Sequence, residues 1–269
     1  MSSGTLVFVG MGLYDETDIS LKGLQALQAC DRVFAELYTS QMNDTAIQRI
    51  EQQLGKPVKA LTRQQTEDGR IILDAACDKD VVFLVGGDPM IATTHVDLRI
   101  RAHQQGIPTR VIHCSSIVTA VPGLLGLQNY KFGRTTTLAY PEKNYFPTSP
   151  YEVIQQNQQM GLHTLVLLDI QAENQRFMTA NEGLKLLLQM EEHHHASVIT
   201  DDALACVVGR AGSDQPVIKA DVIGSLRKQD FGPPLHALVV PGSLHFMEYD
   251  ALVELAGLPE EIAQERQKL

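Results

Sequence analysis

The chain has 269 residues, of which 44% are hydrophobic and 20% charged, with a formal net charge of −10. That is enough for one large domain or two of ordinary size, and no stretch is biased enough to force disorder. The acidic balance argues against a surface that binds by neutralising phosphates, so no nucleic-acid partner is expected, and no segment approaches the roughly 18 to 20 apolar residues that cross a bilayer.

Met1 to Val9 lacks a basic leader region and reads as a buried strand, which predicts a cytoplasmic protein with no membrane partner. Leu6 to Val9 ends in Gly10-Met11-Gly12, and Leu21, Leu24, Ala26 and Leu27 follow at helical spacing behind Asp18 or Ser20 as cap. Val33 to Ala35 is the next strand. Asp44 is the expected cap of a helix carrying Ile47, Ile50 and Leu54 and stopped by Gly55, and Val58 to Leu61 returns as a strand. Ile71, Ile72, Ala75 and Ala76 form a helical face ahead of Val81-Val82-Phe83-Leu84-Val85, a continuous apolar run typical of strands buried on both sides. A helix over about Thr93 to Gln105, a strand at Arg110 to Ile112 and an apolar helix from Ile117 to Leu125 complete an alternation that predicts a mostly parallel sheet covered on both faces.

Between about Gly126 and Pro150 the texture turns to Gly, Pro, Thr, Tyr and Asn, which suggests two α/β domains, residues 1–130 and 131–269. Beyond it, Thr135 to Leu138, Leu165 to Leu168, Leu204 to Val208 and Ala237 to Val240 read as extended. Leu184 to Met190 and Tyr249 to Ala256 read as helices, so a more mixed second sheet is expected. Cys30, Cys77, Cys114 and Cys206 are widely scattered and suggest neither zinc nor disulfides. His193, His194 and His195 are consecutive, and side chains of consecutive helical residues diverge, so no metal site is expected.

Ligands of open α/β sheets bind beyond the carboxyl ends of strands. Three turns lie there: Gly10-Met11-Gly12, Gly86-Gly87-Asp88-Pro89 after the most apolar strand, and Cys114-Ser115-Ser116-Ile117, where either serine could serve as helix cap or ligand contact. Asp15 stands where a dinucleotide fingerprint would need a third glycine. Motifs of serine hydrolases, zinc proteases and P-loop enzymes are absent, which leaves small-molecule transfer chemistry.

The turn Gly10-Met11-Gly12-Leu13, then Gly87-Asp88-Pro89, then the Ser116-Ile117 helix start resemble the tetrapyrrole methylase superfamily. Within it, Gly12 to Glu16, Phe34-Ala35-Glu36, Ala92 to His95, Tyr130 to Gly133, Phe146 to Ser149, Met178 to Glu182 and Val240-Pro241-Gly242 resemble the archaeal type of diphthine synthases. The resemblance spans about Leu6 to Gly257. Gly86 and Met90-Ile91 depart from more usual residues of that turn.

This resemblance implies a homodimer of two-domain chains with S-adenosylmethionine in the interdomain cleft. It implies contacts from Leu13, Asp88, Ile91, Ser116, Ile117, Leu168, Ala211 and His236. The implied reaction trimethylates the amino group of a 3-amino-3-carboxypropyl chain on a histidine of translation elongation factor 2, giving diphthine. No catalytic base is identified; Asp169 and His236 are candidates. The alternatives are a methyltransferase acting on a corrin precursor and a non-catalytic nucleotide-binding module.

Overall fold

The computed structural model describes residues 4–38, 45–142 and 146–267, so the expected cap at Asp44 lies outside the described residues. Two compact units emerge, residues 1–117 with 172–174, and 118–171 with 175–269.

In the first unit β1 (Thr5–Gly10), β2 (Arg32–Glu36), β3 (Val58–Leu61), β4 (Asp80–Val85) and β5 (Thr109–Ile112) form one parallel sheet in the order β3-β2-β4-β1-β5. The central strands need no polar face because both faces are covered. Val7, Val9, Val82 and Leu84 pack with Leu27 of α1 (Leu21–Ala29) and Ile50 of α2 (Ala46–Leu54). Leu6, Phe8, Val81 and Phe83 pack on the other side with Leu98 and Ala102 of α5 (His95–Gln104). Of the two short helices before β4, α3 (Arg63–Asp68) and α4 (Arg70–Ala76), α4 adds Ile72, Leu73 and Ala76 to that second layer. Ser20, of the two candidate caps, starts α1: its hydroxyl accepts from the Gly23 amide at 3.1 Å.

The chain leaves β1 over one face to reach β2 and leaves β4 over the other to reach β5. Their exits diverge from adjacent strand ends, which is where this architecture opens a crevice for a ligand.

α6 (Ile117–Leu125) leads into the second unit, whose mixed sheet has the order β11-β10-β12-β7-β6. Its strands are β6 (Thr136–Leu138), β7 (Thr164–Leu168), β10 (Leu204–Gly209), β11 (Val217–Val222) and β12 (His236–Val240). Only the β6–β7 pair is parallel. A two-stranded hairpin, β8 (Ile170–Gln171) and β9 (Arg176–Phe177), follows β7. Val166, Val207 and Leu238 face a core filled by Tyr151 and Ile154 of α7 (Ser149–Gln159) and Leu184, Leu187 and Met190 of α8 (Ala180–His194). α9 (Ile223–Leu226), α10 (Phe246–Ala256) and α11 (Glu260–Arg266) complete the unit.

α8 begins with a capping box in which Thr179 and Glu182 bond each other's backbone amides. It ends where Glu191 accepts from the amides of Ser197, Val198 and Ile199 at 2.6 to 2.8 Å and from the Tyr151 hydroxyl at 2.6 Å. The three consecutive histidines close this helix: His194 stacks on Tyr151, and no cluster able to hold a metal exists among the described residues.

Candidate functional site

In the first unit the turns after β1, β4 and β5 are bonded into one assembly. Gly12 and Gly87 exchange backbone hydrogen bonds of 3.3 and 2.8 Å, which splices the first two turns together. Gly12 has φ +81, and a Cβ there would stand 2.2 Å from the Asp18 Cβ. The space is needed because Asp18 turns inward, its carboxylate accepting from the Leu13 and Tyr14 amides at 2.9 and 2.8 Å.

Asp88 ties in the third turn. One carboxylate oxygen accepts from the Met90 amide at 3.0 Å, and the other meets His113 Nδ1 at 2.8 Å and the Cys114 amide at 3.3 Å. A carboxylate has about four acceptor sites, so three donors leave one for a ligand. From the far side the buried His95 ring holds the same loop, with Nδ1 3.3 Å from the Pro89 carbonyl. Since a carbonyl can only accept, Nδ1 carries the proton; burial holds the imidazole below its usual pKa, and Nε2 is a buried acceptor with no partner among the described residues. Ile91 projects into solvent, whereas Ser116 is buried immediately before Ile117 opens α6.

In the second unit the predicted residues also gather at one sheet edge. Leu168 ends β7, His236 begins the antiparallel neighbour β12 and pairs with Gly209, and Ala211 follows β10 by two residues. His236 is buried, and its Nδ1 accepts from the Ala180 amide at 3.1 Å, at the first residue of α8. Nδ1 is therefore unprotonated and the neutral ring carries its proton on Nε2. Burial and the Arg210 charge both lower the pKa of this histidine, which keeps the ring neutral. Nε2 is a buried donor with no partner among the described residues. An orphaned donor at a strand end fits a ligand bearing a hydrogen-bond acceptor.

The structure thus brings Leu13, Asp88, Ile91, Ser116 and Ile117 to the carboxyl edge of the first sheet, and Leu168, Ala211 and His236 to one edge of the second. Asp169 is committed to holding neighbouring segments, accepting from the Tyr140 amide just after β6 at 3.0 Å and from the Gln171 side chain at 3.2 Å. Two members escape sequence reading: His113, whose partner Asp88 lies 25 residues away, and Arg210, which props the loop before β12 by donating to the Phe231 and Pro233 carbonyls.

Comparison with known proteins gives this geometry its family. The family model for tetrapyrrole (corrin/porphyrin) methylases matches residues 5–224. The chain belongs to the tetrapyrrole methylase family. It is 51% identical over 259 residues to the diphthine synthase of Methanothermobacter thermautotrophicus, covering 96% of this chain and 98% of the relative. To the diphthine synthase of Methanocaldococcus jannaschii it is 49% identical over 250 residues, covering 92% and 97%. A crystal structure of diphthine synthase superposes with a TM-score of 0.87 at 39% identity, over 97% of this chain and 99% of that one. Within the tetrapyrrole methylases the chain groups with the diphthine synthases, and it is a methyltransferase. The strand-end turns therefore belong to a methyl-transfer scaffold.

Proposed function

We propose that this methyltransferase uses S-adenosylmethionine to trimethylate the amino group of the 3-amino-3-carboxypropyl chain on a histidine of translation elongation factor 2, forming diphthine. The supporting observation is the 51% identity to a diphthine synthase over 96% of the chain. In this reading Leu13, Asp88, Ile91, Ser116 and Ile117 from the first sheet and Leu168, Ala211 and His236 from the second contact the cofactor. The protein acts as a homodimer in the cytoplasm.

The cofactor supplies a methyl group activated by a sulfonium. What remains for the chain is to bind and align, and fixing a nucleophile against an electrophile is worth roughly 7 to 11 kcal/mol. The spliced Gly12 and Gly87 turns present backbone groups at a close approach, and His236 Nε2–H offers a neutral donor to a polar acceptor. Asp88 keeps the loops that carry these contacts in register.

Incubation with labelled S-adenosylmethionine and elongation factor 2 bearing the aminocarboxypropyl group tests the reading. Label on the factor and a product heavier by three methyl groups are expected; an unlabelled factor overturns it.

A further inference from the structure

The structure points to an assignment for His113, and we propose that the Asp88–His113 pair is the base that takes the proton from the acceptor amine. The inference rests on the function proposed above. An amine at neutral pH is an ammonium with no lone pair to give, so it must lose a proton before it attacks.

Asp88 is buried and His113 is 72% exposed, with 2.8 Å between the carboxylate and Nδ1. The Met90 and Cys114 amides also donate to Asp88 and hold its carboxylate in place beside the ring. The carboxylate accepts the Nδ1 proton, which fixes the tautomer and leaves Nε2 of the neutral ring as the basic nitrogen. Among the described residues the imidazole has no second partner, so Nε2 is open to a substrate. The position of His113 suits a base at the cofactor turns. The loop carrying it follows β5, and the Cys114 Cβ next to it lies 2.6 Å from where a Cβ on Gly10 would stand, at the carboxyl end of β1. Beside this loop, among the described residues, lie also the Asp18 carboxylate and the Cys114 thiol, which burial pushes up and keeps protonated, while His95 sits against the neighbouring Pro89 carbonyl.

The step balances. The substrate ammonium gives its proton to His113 Nε2, and the amine lone pair forms the new N–C bond. The methyl carbon's bond to sulfur breaks with its electron pair staying on sulfur, leaving a thioether. The imidazolium returns its proton to solvent before the next transfer.

His113→Gln is the discriminating variant, because its amide can still donate to Asp88 but has no basic nitrogen. We expect kcat at pH 7 to fall about a hundredfold, within the usual range for a lost general base. The dissociation constant for S-adenosylmethionine should stay within about twofold by calorimetry, and the acidic limb of the kcat/KM profile should vanish. In the wild type, that limb should bend at the pH where the His113 ring resonance titrates by NMR in the substrate-free protein. An unchanged rate and pH profile in His113→Gln, or a loss wholly accounted for by weaker cofactor binding, overturns the assignment. Failure of the wild type itself to label the factor removes the proposed function and this role with it; an active wild type beside an unaffected His113→Gln removes the base alone.

Discussion

Asp88 and Glu248 are both buried carboxylates wrapped in donors, yet their surroundings give them different consequences. Glu248, in the first turn of α10, accepts from the Gln128 and His245 amides at 2.8 Å each, from His163 Nε2 at 3.0 Å and from Lys131 Nζ. Burial alone would raise its pKa, but the His245 amide, Lys131, the Gln128 amide and His163 outweigh it and bring it down to about 2. Glu248→Ala strands these donors in a dry setting, so a loss of roughly 3 to 5 kcal/mol is expected, read as a lower midpoint in urea. At Asp88 one of the partners, His113, is exposed, and the others are amides at the mouth of the sheet. Asp88→Ala should cost the fold little while loosening the join between two strand-end loops that the proposed function places against the cofactor. We expect at least tenfold weaker S-adenosylmethionine binding by calorimetry with the far-UV spectrum intact; an unchanged dissociation constant would remove Asp88 from the site.

The strand-end turns can be separated by their tolerance of a methyl group. Gly12 and Gly87 both have positive φ, at +81 and +65, which strains any L side chain by roughly 1 to 2 kcal/mol. Only at Gly12 does the added carbon collide, 2.2 Å from the Asp18 Cβ; at Gly87 the nearest outside atom is 3.9 Å away. Gly12→Ala should therefore melt well below Gly87→Ala and displace Asp18 from the Leu13 and Tyr14 amides, and equal melting temperatures would contradict this. Elements of this kind are largely legible in the residues. The runs Leu6 to Val9 and Val81 to Val85 announce strands covered twice, and the glycines after them mark the turns, because both signals are local. α3 and β11 are not legible: RQQTED has no apolar face, and the edge strand β11 carries Lys219 and Asp221 with a single buried residue. Nor can the pattern show that His163 meets Glu248, 85 residues away, or that His113 meets Asp88, since spacing along the chain encodes faces of an element but not partners between elements.

Across the whole molecule, the same burial that serves the two sheets makes folding pH-dependent in a defined order. His95, His163 and His236 are each held by burial below the ordinary histidine value of 6.5, even though Glu248 pulls His163 the other way. Below that value the unfolded chain takes up protons that the folded chain refuses, so their contribution is complete above pH 6.5 and is lost as the pH falls toward the folded values. Glu248 and Glu191 are carboxylates lowered from 4.5, so theirs is complete above pH 4.5 and drains only below it. Stability should descend in two stages, first through the histidines and then through the carboxylates. One histidine refusing its proton changes stability by at most about 1.4 kcal/mol per pH unit, so three acting together set a ceiling of about 4. Denaturant titrations at half-unit steps from pH 8 to pH 4 should show the first decline beginning near pH 6.5, with proton uptake on unfolding. His236→Gln should make that decline shallower, because Gln lacks the group whose protonation the fold refuses while its side-chain oxygen can still accept from the Ala180 amide. A wild-type stability that stays flat from pH 7 to pH 5 would mean that the histidines titrate alike in the folded and unfolded chains.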